Sequence, residues 1–238
     1  MRSGRIKALL VLLIFLIVMG CTNNPTLEQE NAQLSSDKSH LLFSYKNPKE
    51  MLNPPVLGVY DLETEQTIDI PITNDYGRQM NSFYWVNDLL ILVEGHVNPS
   101  VTGYVLYDGI TGKEINYCGG KLYQVLSDGK TMLFQLTPHG SGAETRANLA
   151  VMTEDHTIKD LFLSDIEDEE IIDAQISDDL STMATWTHNR SDNTSQLSVA
   201  KLNIVNWTLG TSTIYSVDPS FRGKIKYDDM NQIVEPMS

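Results

Sequence analysis

A short polar turn followed by an apolar strand recurs along the chain, and this repeat is the feature that most constrains the fold. The third copy is the clearest, because Ser127-Asp128-Gly129-Lys130 leads directly into Met132-Leu133-Phe134. Periods of about 40–50 residues are typical of propeller blades, each of which buries its apolar faces against its neighbours. The five turns contain Asp37, Asp88, Asp128, Asp178 and Asp228, at steps of 51, 40, 50 and 50 residues.

A second hairpin follows each of the first four copies. Residues 59–68 form a strand, a polar turn and a strand, and residues 105–115, 149–161 and 199–214 repeat this arrangement. Short runs of Val, Ile, Leu, Tyr, Phe and Met between such turns predict strands rather than long helices. Ser164-Asp165-Ile166-Glu167 has the spacing of a capping box, which indicates either one helical turn or an acidic loop between blades.

These units resemble a known family of propellers. The segment from Leu126 to Phe134, followed by Ala150-Val151-Met152 and a turn, is similar to the WD40-like repeats of the TolB family. The resemblance covers most of residues 34–234 and implies an architecture rather than an activity. Propellers of that family commonly carry six blades, whereas this chain provides four full units and one half unit.

The fold class that follows is all-β. We expect a small β-propeller-like array of about four to five four-stranded antiparallel blades over residues 36–238, after an N-terminal signal helix. An open ring leaves backbone groups of its edge strands unpaired. The termini therefore either close a small ring, or the blades form an open, curved stack that a partner completes.

The N-terminus carries the most specific local signal. Three basic residues precede an apolar run from Ala8 to Met19, which is too short to span a bilayer and fits the core of a secretory signal. Val18-Met19-Gly20-Cys21 then resembles the bacterial lipobox. This resemblance implies that Cys21 is acylated and becomes the first residue of the mature protein. An uncleaved N-terminal anchor is the alternative.

The domain plan follows from that signal. We expect a lipoprotein signal peptide over residues 1–20 and a flexible tether over residues 21–35. Palmitate or a similar acyl chain would then hold the folded part at the cell membrane, outside the cytoplasm. Acyl chains bind a bilayer because each buried methylene contributes about 0.8 kcal/mol.

Charge and cysteine content restrict the partners and the chemistry. With 17 Lys and Arg against 31 Asp and Glu, the net charge is −14, which excludes nucleic acid as an expected partner. If Cys21 is acylated, Cys118 is the single remaining thiol and no intramolecular disulfide can form. No His or helix start accompanies Cys118, so it is predicted to be a small buried side chain rather than a catalytic thiol.

The longest loops are predicted to form a binding face. They join the second and third strands of each blade, at residues 46–55, 94–103, 137–146 and 187–195, and all emerge on one side of a propeller. Solvated loops with no binding role are the alternative. The candidate binding residues in these loops are His96, His139, Arg146, His188 and Arg190.

Two chemistries are conceivable on that face. Three imidazoles could hold a metal ion, but each His equally fits an ordinary loop, so no metal and no cofactor are expected. The arginines could instead hold an anionic group such as a carboxylate. The acidic run from Asp165 to Asp173 lacks the spacing of an EF-hand loop and is predicted to be a solvated rim.

The function predicted from these features is binding. We expect a lipid-anchored extracytoplasmic module that recognises an envelope protein, peptide or glycan through one propeller face. The chain has no nucleophile elbow, phosphate-binding loop or CxxC motif, and no catalytic residue is assigned. An extracytoplasmic hydrolase or lyase that uses the His-bearing loops is the alternative.

Overall fold

Strands form where the sequence alternates apolar and polar residues between polar turns. A computed structural model describes residues 26–27, 32–46, 56–98, 101–136, 148–166, 168–220, 223–228 and 233–234. Every regular element in these ranges is a β-strand. The strands are β1 (Thr26–Leu27), β2 (Gln33–Leu34), β3 (His40–Lys46), β4 (Val56–Asp61), β5 (Thr67–Pro71), β6 (Gln79–Trp85), β7 (Leu90–Asn98), β8 (Val101–Asp108), β9 (Glu114–Val125), β10 (Met132–Leu136), β11 (Asn148–Met152), β12 (Ile158–Leu163), β13 (Glu169–Ile176), β14 (Thr182–Asn189), β15 (Thr194–Asn203), β16 (Thr208–Val217), β17 (Lys226–Tyr227) and β18 (Ile233–Val234).

The strands pair in chain order into four antiparallel sheets. The first sheet holds β1 to β5, with β1 and β2 both paired to β3. The second holds β6 to β12, the third holds β13 to β16, and β17 pairs with β18. The all-β, antiparallel prediction is confirmed. The predicted signal helix and Cys21 lie outside the described residues. Within the described ranges, no helix has the length and apolar character that crossing a bilayer requires.

The division into blades differs from the prediction. The sheets have five, seven, four and two strands, instead of four or five separate sheets of four. The cause is β9, which pairs with β8 up to Gly119 and with β10 from Gly120 onward. Because no turn interrupts β9, the last strand of one four-stranded unit continues as the first strand of the next.

We name the units by their strands. Unit 1 is β2 to β5, unit 2 is β6 to the first half of β9, unit 3 is the second half of β9 to β12, and unit 4 is β13 to β16. The half unit is β17 with β18.

Part of the range predicted to be a tether is folded. Gln33 and Leu34 pair with Leu42 and Leu41 of β3, and the Gln33 side-chain amide donates to the Phe83 carbonyl at 2.7 Å. β1 also lies within residues 21–35 and pairs with β3. The folded domain therefore begins before residue 36, because β2 is the first strand of unit 1 and β1 pairs with the far end of β3.

Consecutive units stack on each other through apolar faces. One buried cluster joins units 1 and 2, a second joins units 2 and 3, and a third joins units 3 and 4. The smallest cluster places Ile225 against Ala184 and Trp186, and so joins unit 4 to the segment that leads into the half unit. Phe134 and Trp186, predicted to be interior side chains of the repeat, are both buried.

Hydrogen bonds between units show that the sheets share one orientation. Between units 1 and 2, Gln33 contacts Phe83 and the Asp37 N–H donates to Asp88. Between units 3 and 4, Lys121 contacts Ile172 and Ser127 contacts Asp178. Within each pair of units both partners advance along the chain together, so equivalent strands run in the same direction and equivalent turns lie at the same end of the stack.

Aspartates close the turns before the second strands in three of the copies, whereas in the second copy Asn87 does so, accepting the N–H groups of Leu89 and Leu90. The Asp37 carboxylate accepts hydrogen bonds from the hydroxyls of Ser35 and Ser39 and from the Ser39 N–H, at 2.6–2.9 Å. These bonds, led by the one from Ser35, lower the pKa of Asp37 to about 2.

In the fourth copy the equivalent carboxylate is Asp179 rather than Asp178, since Asp179 accepts the bonds of Ser177 and Ser181. The residues that follow Asp37, Asp128 and Asp179 have a positive φ, at Lys38, Gly129 and Leu180.

Candidate functional site

The turns after the second strands of units 2 and 4 lie at one end of the stack, which we call the hairpin end. It is described at residues 94–98 and 101–103 and at residues 187–195. The corresponding turns of units 1 and 3 contain residues outside the described ranges. His139 and Arg146 are among these residues, and Cys21 near the N-terminus also lies outside the described ranges, so the roles predicted for all three stay predictions.

Arg190 is held by an acidic neighbour. Its Nε and Nη2 atoms donate to Oε2 of Glu170 at 3.0 and 2.7 Å. Its backbone N–H donates to the carbonyl of Asp168 at 3.3 Å. An anionic ligand at Arg190 would therefore have to displace the Glu170 carboxylate.

A shallow pocket of about 60 Å³ lies beside the same turn. Two carboxylates line it, those of Glu169 and Asp192, and Asp192 already accepts two hydrogen bonds from Thr194. The remaining lining residues are Ile166, Thr187, Asn189, Thr194 and Gln196. No cationic side chain lines this pocket, so the group that it suits best is a positively charged donor such as an ammonium.

Two of the three candidate histidines are described, and they occupy equivalent positions on different sheets. His96 in β7 lies opposite Gln79 and Thr102, and its buried Nδ1 has no hydrogen-bond partner. His188 in β14 lies opposite Glu170 and Ser195, and its Nδ1 is 2.9 Å from the Ser195 hydroxyl. Within the part of the chain that the structure describes, no three His, Cys, Asp or Glu side chains are grouped to hold a metal ion.

The acidic run is only partly a solvated rim. Asp165 and Asp168 are exposed, as expected, but Asp173 is only 7% exposed. Its Oδ2 accepts the Ile225 N–H at 2.7 Å, which fastens the half unit to unit 4. Burial raises the pKa of Asp173. The described residues of the capping-box segment, 164–166, form no helix; instead the Ser164 hydroxyl accepts the Ile166 N–H and contacts Glu169.

Sequence reasoning missed a second contact between units near these acids. The Lys121 ammonium donates to the Ile172 carbonyl at 3.3 Å and lies 4.3 Å from the centre of the Tyr123 ring. Burial lowers the pKa of Lys121, while Asp173 and Glu170 act in the opposite direction. Lys121 directly follows two glycines inside a strand. Nothing in the neighbouring sequence indicates that its side chain contacts Ile172, 51 residues away.

Cys118 matches its predicted role. It is buried in the core shared by units 2 and 3, and burial raises the pKa of its thiol to about 12. A thiol with so high a pKa carries almost no thiolate at neutral pH and is a poor nucleophile.

The chain is similar to known proteins in structure but not in sequence. No family profile matches the chain, and no curated protein sequence matches it. Prolyl oligopeptidase B from Galerina marginata, bound to a 35-residue substrate, is similar with a TM-score of 0.52 and 12% identity, over 83% of this chain and 32% of that chain. Its apo form gives a TM-score of 0.50 and 10% identity over the same shares.

A third similar structure is an oligogalacturonate lyase from Vibrio parahaemolyticus. It gives a TM-score of 0.48 and 14% identity, over 89% of this chain and 58% of that chain. The chain thus spans less than two thirds of the length of each of these proteins. At such low identity the likeness shows the fold alone, and that fold is of the β-propeller type.

Proposed function

We propose that the chain is a lipid-anchored, extracytoplasmic β-propeller-like module that binds or scaffolds an envelope protein, peptide or glycan through its hairpin end. The observation that carries the proposal is the acidic pocket beside the β14–β15 turn. The partner would present positively charged groups, because Glu169 and Asp192 line the pocket and Arg190 is already paired with Glu170.

The electrostatic reason extends beyond the pocket. The net charge of −14 attracts cationic groups and steers them toward the surface during association. A pocket of about 60 Å³ is large enough for an ammonium group. The residues predicted from the sequence to bind, His96, His139, Arg146, His188 and Arg190, remain part of the proposal as side chains that would add hydrogen bonds to the partner.

Binding of a basic peptide gives a direct test. Glu169→Gln with Asp192→Asn is expected to weaken binding of a lysine-rich decapeptide about tenfold, since a charge-assisted hydrogen bond contributes about 1.5–3 kcal/mol. Fluorescence anisotropy of the labelled peptide, repeated at rising salt, measures the change. Glu154→Gln combined with Asp160→Asn is the matched control, because both residues are exposed, neither lines the pocket and together they carry the same two charges.

The same experiment can contradict the proposal. A glutamate-rich decapeptide that binds as tightly as the lysine-rich one would exclude charge as the basis of recognition. Equal loss in the control that combines Glu154→Gln with Asp160→Asn would show that overall charge, rather than the pocket, controls binding. Photo-crosslinking from position Gln196 in the native envelope then identifies the natural partner.

The anchor has its own test. Cys21→Ser is expected to accumulate as an unprocessed precursor that takes up no labelled palmitate, because the acceptor sulfur is missing. Metabolic labelling and gel mobility of the full chain measure both effects, and Cys118→Ser is the control that should label normally. Wild-type protein found unlabelled in the cytoplasm or in the medium would contradict the anchor.

The hydrolase or lyase alternative depends on the His-bearing turns. His96 and His188 lie on different sheets, and His188 is engaged with Ser195. His139 lies outside the described residues. The acidic pocket, which the structure describes, therefore supports binding as the proposed function. The hydrolase or lyase stays a prediction from the sequence.

A further inference from the structure

The outer strand of unit 4 differs from the other outer strands. β16 is ten residues long and contains neither a charged residue nor a proline. By contrast β5 has five residues with Asp69 and Pro71, and β12 has six residues with Lys159 and Asp160. Natural sheets use charges, prolines and short lengths to prevent an edge strand from pairing with another chain. β16 has none of these protections.

The exposed part of β16 is its central and C-terminal portion. Trp207 and Leu209 pack against the core between units 3 and 4, whereas residues 210–216 are all exposed. Ile214 is 60% exposed and Tyr215 is 53% exposed. Since successive residues of a strand point to opposite faces, residues 210–216 are exposed on both faces of the sheet. Among the strands that the structure describes, β16 pairs with β15 alone, which leaves its other edge unpaired.

We propose that β16 is a self-association edge, at which two copies of this chain pair antiparallel to form a continuous eight-stranded sheet. Charge argues for a second copy as the occupant. β15 and β16 together hold one charged residue, Lys201, in a chain whose net charge is −14. Most other contacts between two copies would bring carboxylates together, but this edge would not.

The sequence of β16 is also self-complementary. A two-fold axis perpendicular to the sheet pairs only residues that point to the same face. Centred on Ile214, this register places Thr213 opposite Tyr215 of the second copy and Ser212 opposite Ser216. Aromatic and β-branched side chains form favourable cross-strand pairs. Asp218 would face Gly210 of the second copy, so no carboxylates would oppose each other.

A charge swap tests the pairing and its register together. Either T213K or Y215E alone places a charged side chain opposite an uncharged residue of the second copy. Each single variant is therefore expected to raise the dissociation constant of the dimer at least tenfold. The T213K/Y215E double variant places opposite charges across the axis and is expected to restore the dimer. Sedimentation velocity of the full chain, in density-matched detergent over a concentration series, measures the dissociation constants. I158K, on the exposed outer strand β12, is the matched control and should leave the dimer unchanged.

Covalent trapping gives a second readout. Oxidation of the full-length Ile214→Cys variant in native membranes is expected to yield a disulfide-linked dimer on a non-reducing gel, whereas Ile158→Cys should not. Three results would overturn the proposal: a wild-type chain that stays monomeric at every concentration, single variants that dimerise like wild type, or an Ile214→Cys adduct with a different protein. The last result would make β16 an edge for a foreign strand. Loss of peptide binding at the hairpin end would leave this test unaffected.

Discussion

Replacing Phe134 with alanine is expected to lower the free energy of unfolding by about 3–5 kcal/mol. Phe134 lies in β10, is 1% exposed and belongs to the core shared by units 2 and 3. Its ring meets the ring of Tyr104 edge to face, with 5.4 Å between the centroids and 60° between the planes. Truncation would leave a cavity bordered by both units, and close-packed walls relax into such a cavity only partly.

Urea unfolding followed by tryptophan fluorescence measures this loss, because the chain contains three tryptophans. Phe134→Leu is the matched control and should cost under about 1.5 kcal/mol, since it keeps most of the apolar volume. Leu163→Ala, at a position 59% exposed, should change stability by about 0.5 kcal/mol or less. If Phe134→Ala unfolds at the wild-type urea concentration, the stacking of units 2 and 3 is not the main source of stability.

The interior position of Phe134 could be predicted from the sequence because its signal is local. A turn of Ser, Asp, Gly and Lys precedes an apolar triplet, and the same pattern recurs at a propeller-like period. Trp186 follows the same logic and is 3% exposed. Turn chemistry and alternation of apolar residues are properties of neighbouring residues, so they predict strands and buried faces without knowledge of distant contacts.

The continuity of β9 could not be predicted in this way. Gly119-Gly120 interrupts an apolar pattern, and two adjacent glycines ordinarily indicate a turn or a break. In the structure the pair marks the position where one strand changes partners from β8 to β10. This outcome depends on backbone atoms of Leu136 and Gln135 that approach from another strand, and no local pattern encodes that approach.

In the candidate site, too, features set by neighbouring residues could be predicted from the sequence, whereas contacts between distant residues could not. The sequence predicts that the hairpin turns share one end, and the parallel order of contacts between units 1 and 2 and between units 3 and 4 supports that placement. The sequence predicts one solvated rim from Asp165 to Asp173, whereas Asp173 is buried and accepts the N–H of Ile225, 52 residues further along the chain. The pairing of Arg190 with Glu170 likewise joins residues 20 positions apart across a strand register. The sequence shows which side chains are charged, but it does not show which residue each of them contacts.

Gly120→Ala is expected to be as damaging as the loss of a core aromatic ring. Gly120 has a φ of +150°, which side chains of L-residues rarely adopt, and a Cβ built there would lie 1.9 Å from the Gln135 carbonyl oxygen. The oxygen belongs to the backbone of β10, so it cannot turn aside as a flexible side chain would. Strain at φ and the forced separation of β9 from β10 together should cost about 3–5 kcal/mol of unfolding free energy, measured by urea unfolding.

Gly129→Ala separates the two contributions to that cost. Gly129 also has a positive φ, +64°, but the nearest atom to its Cβ would lie 3.6 Å away, at an ordinary contact distance. Only the backbone strain remains there, and this amounts to about 1–2 kcal/mol. A Gly120→Ala variant no less stable than Gly129→Ala would mean that β9 and β10 separate at little cost, and units 2 and 3 would then be joined by their apolar core rather than by a continuous strand.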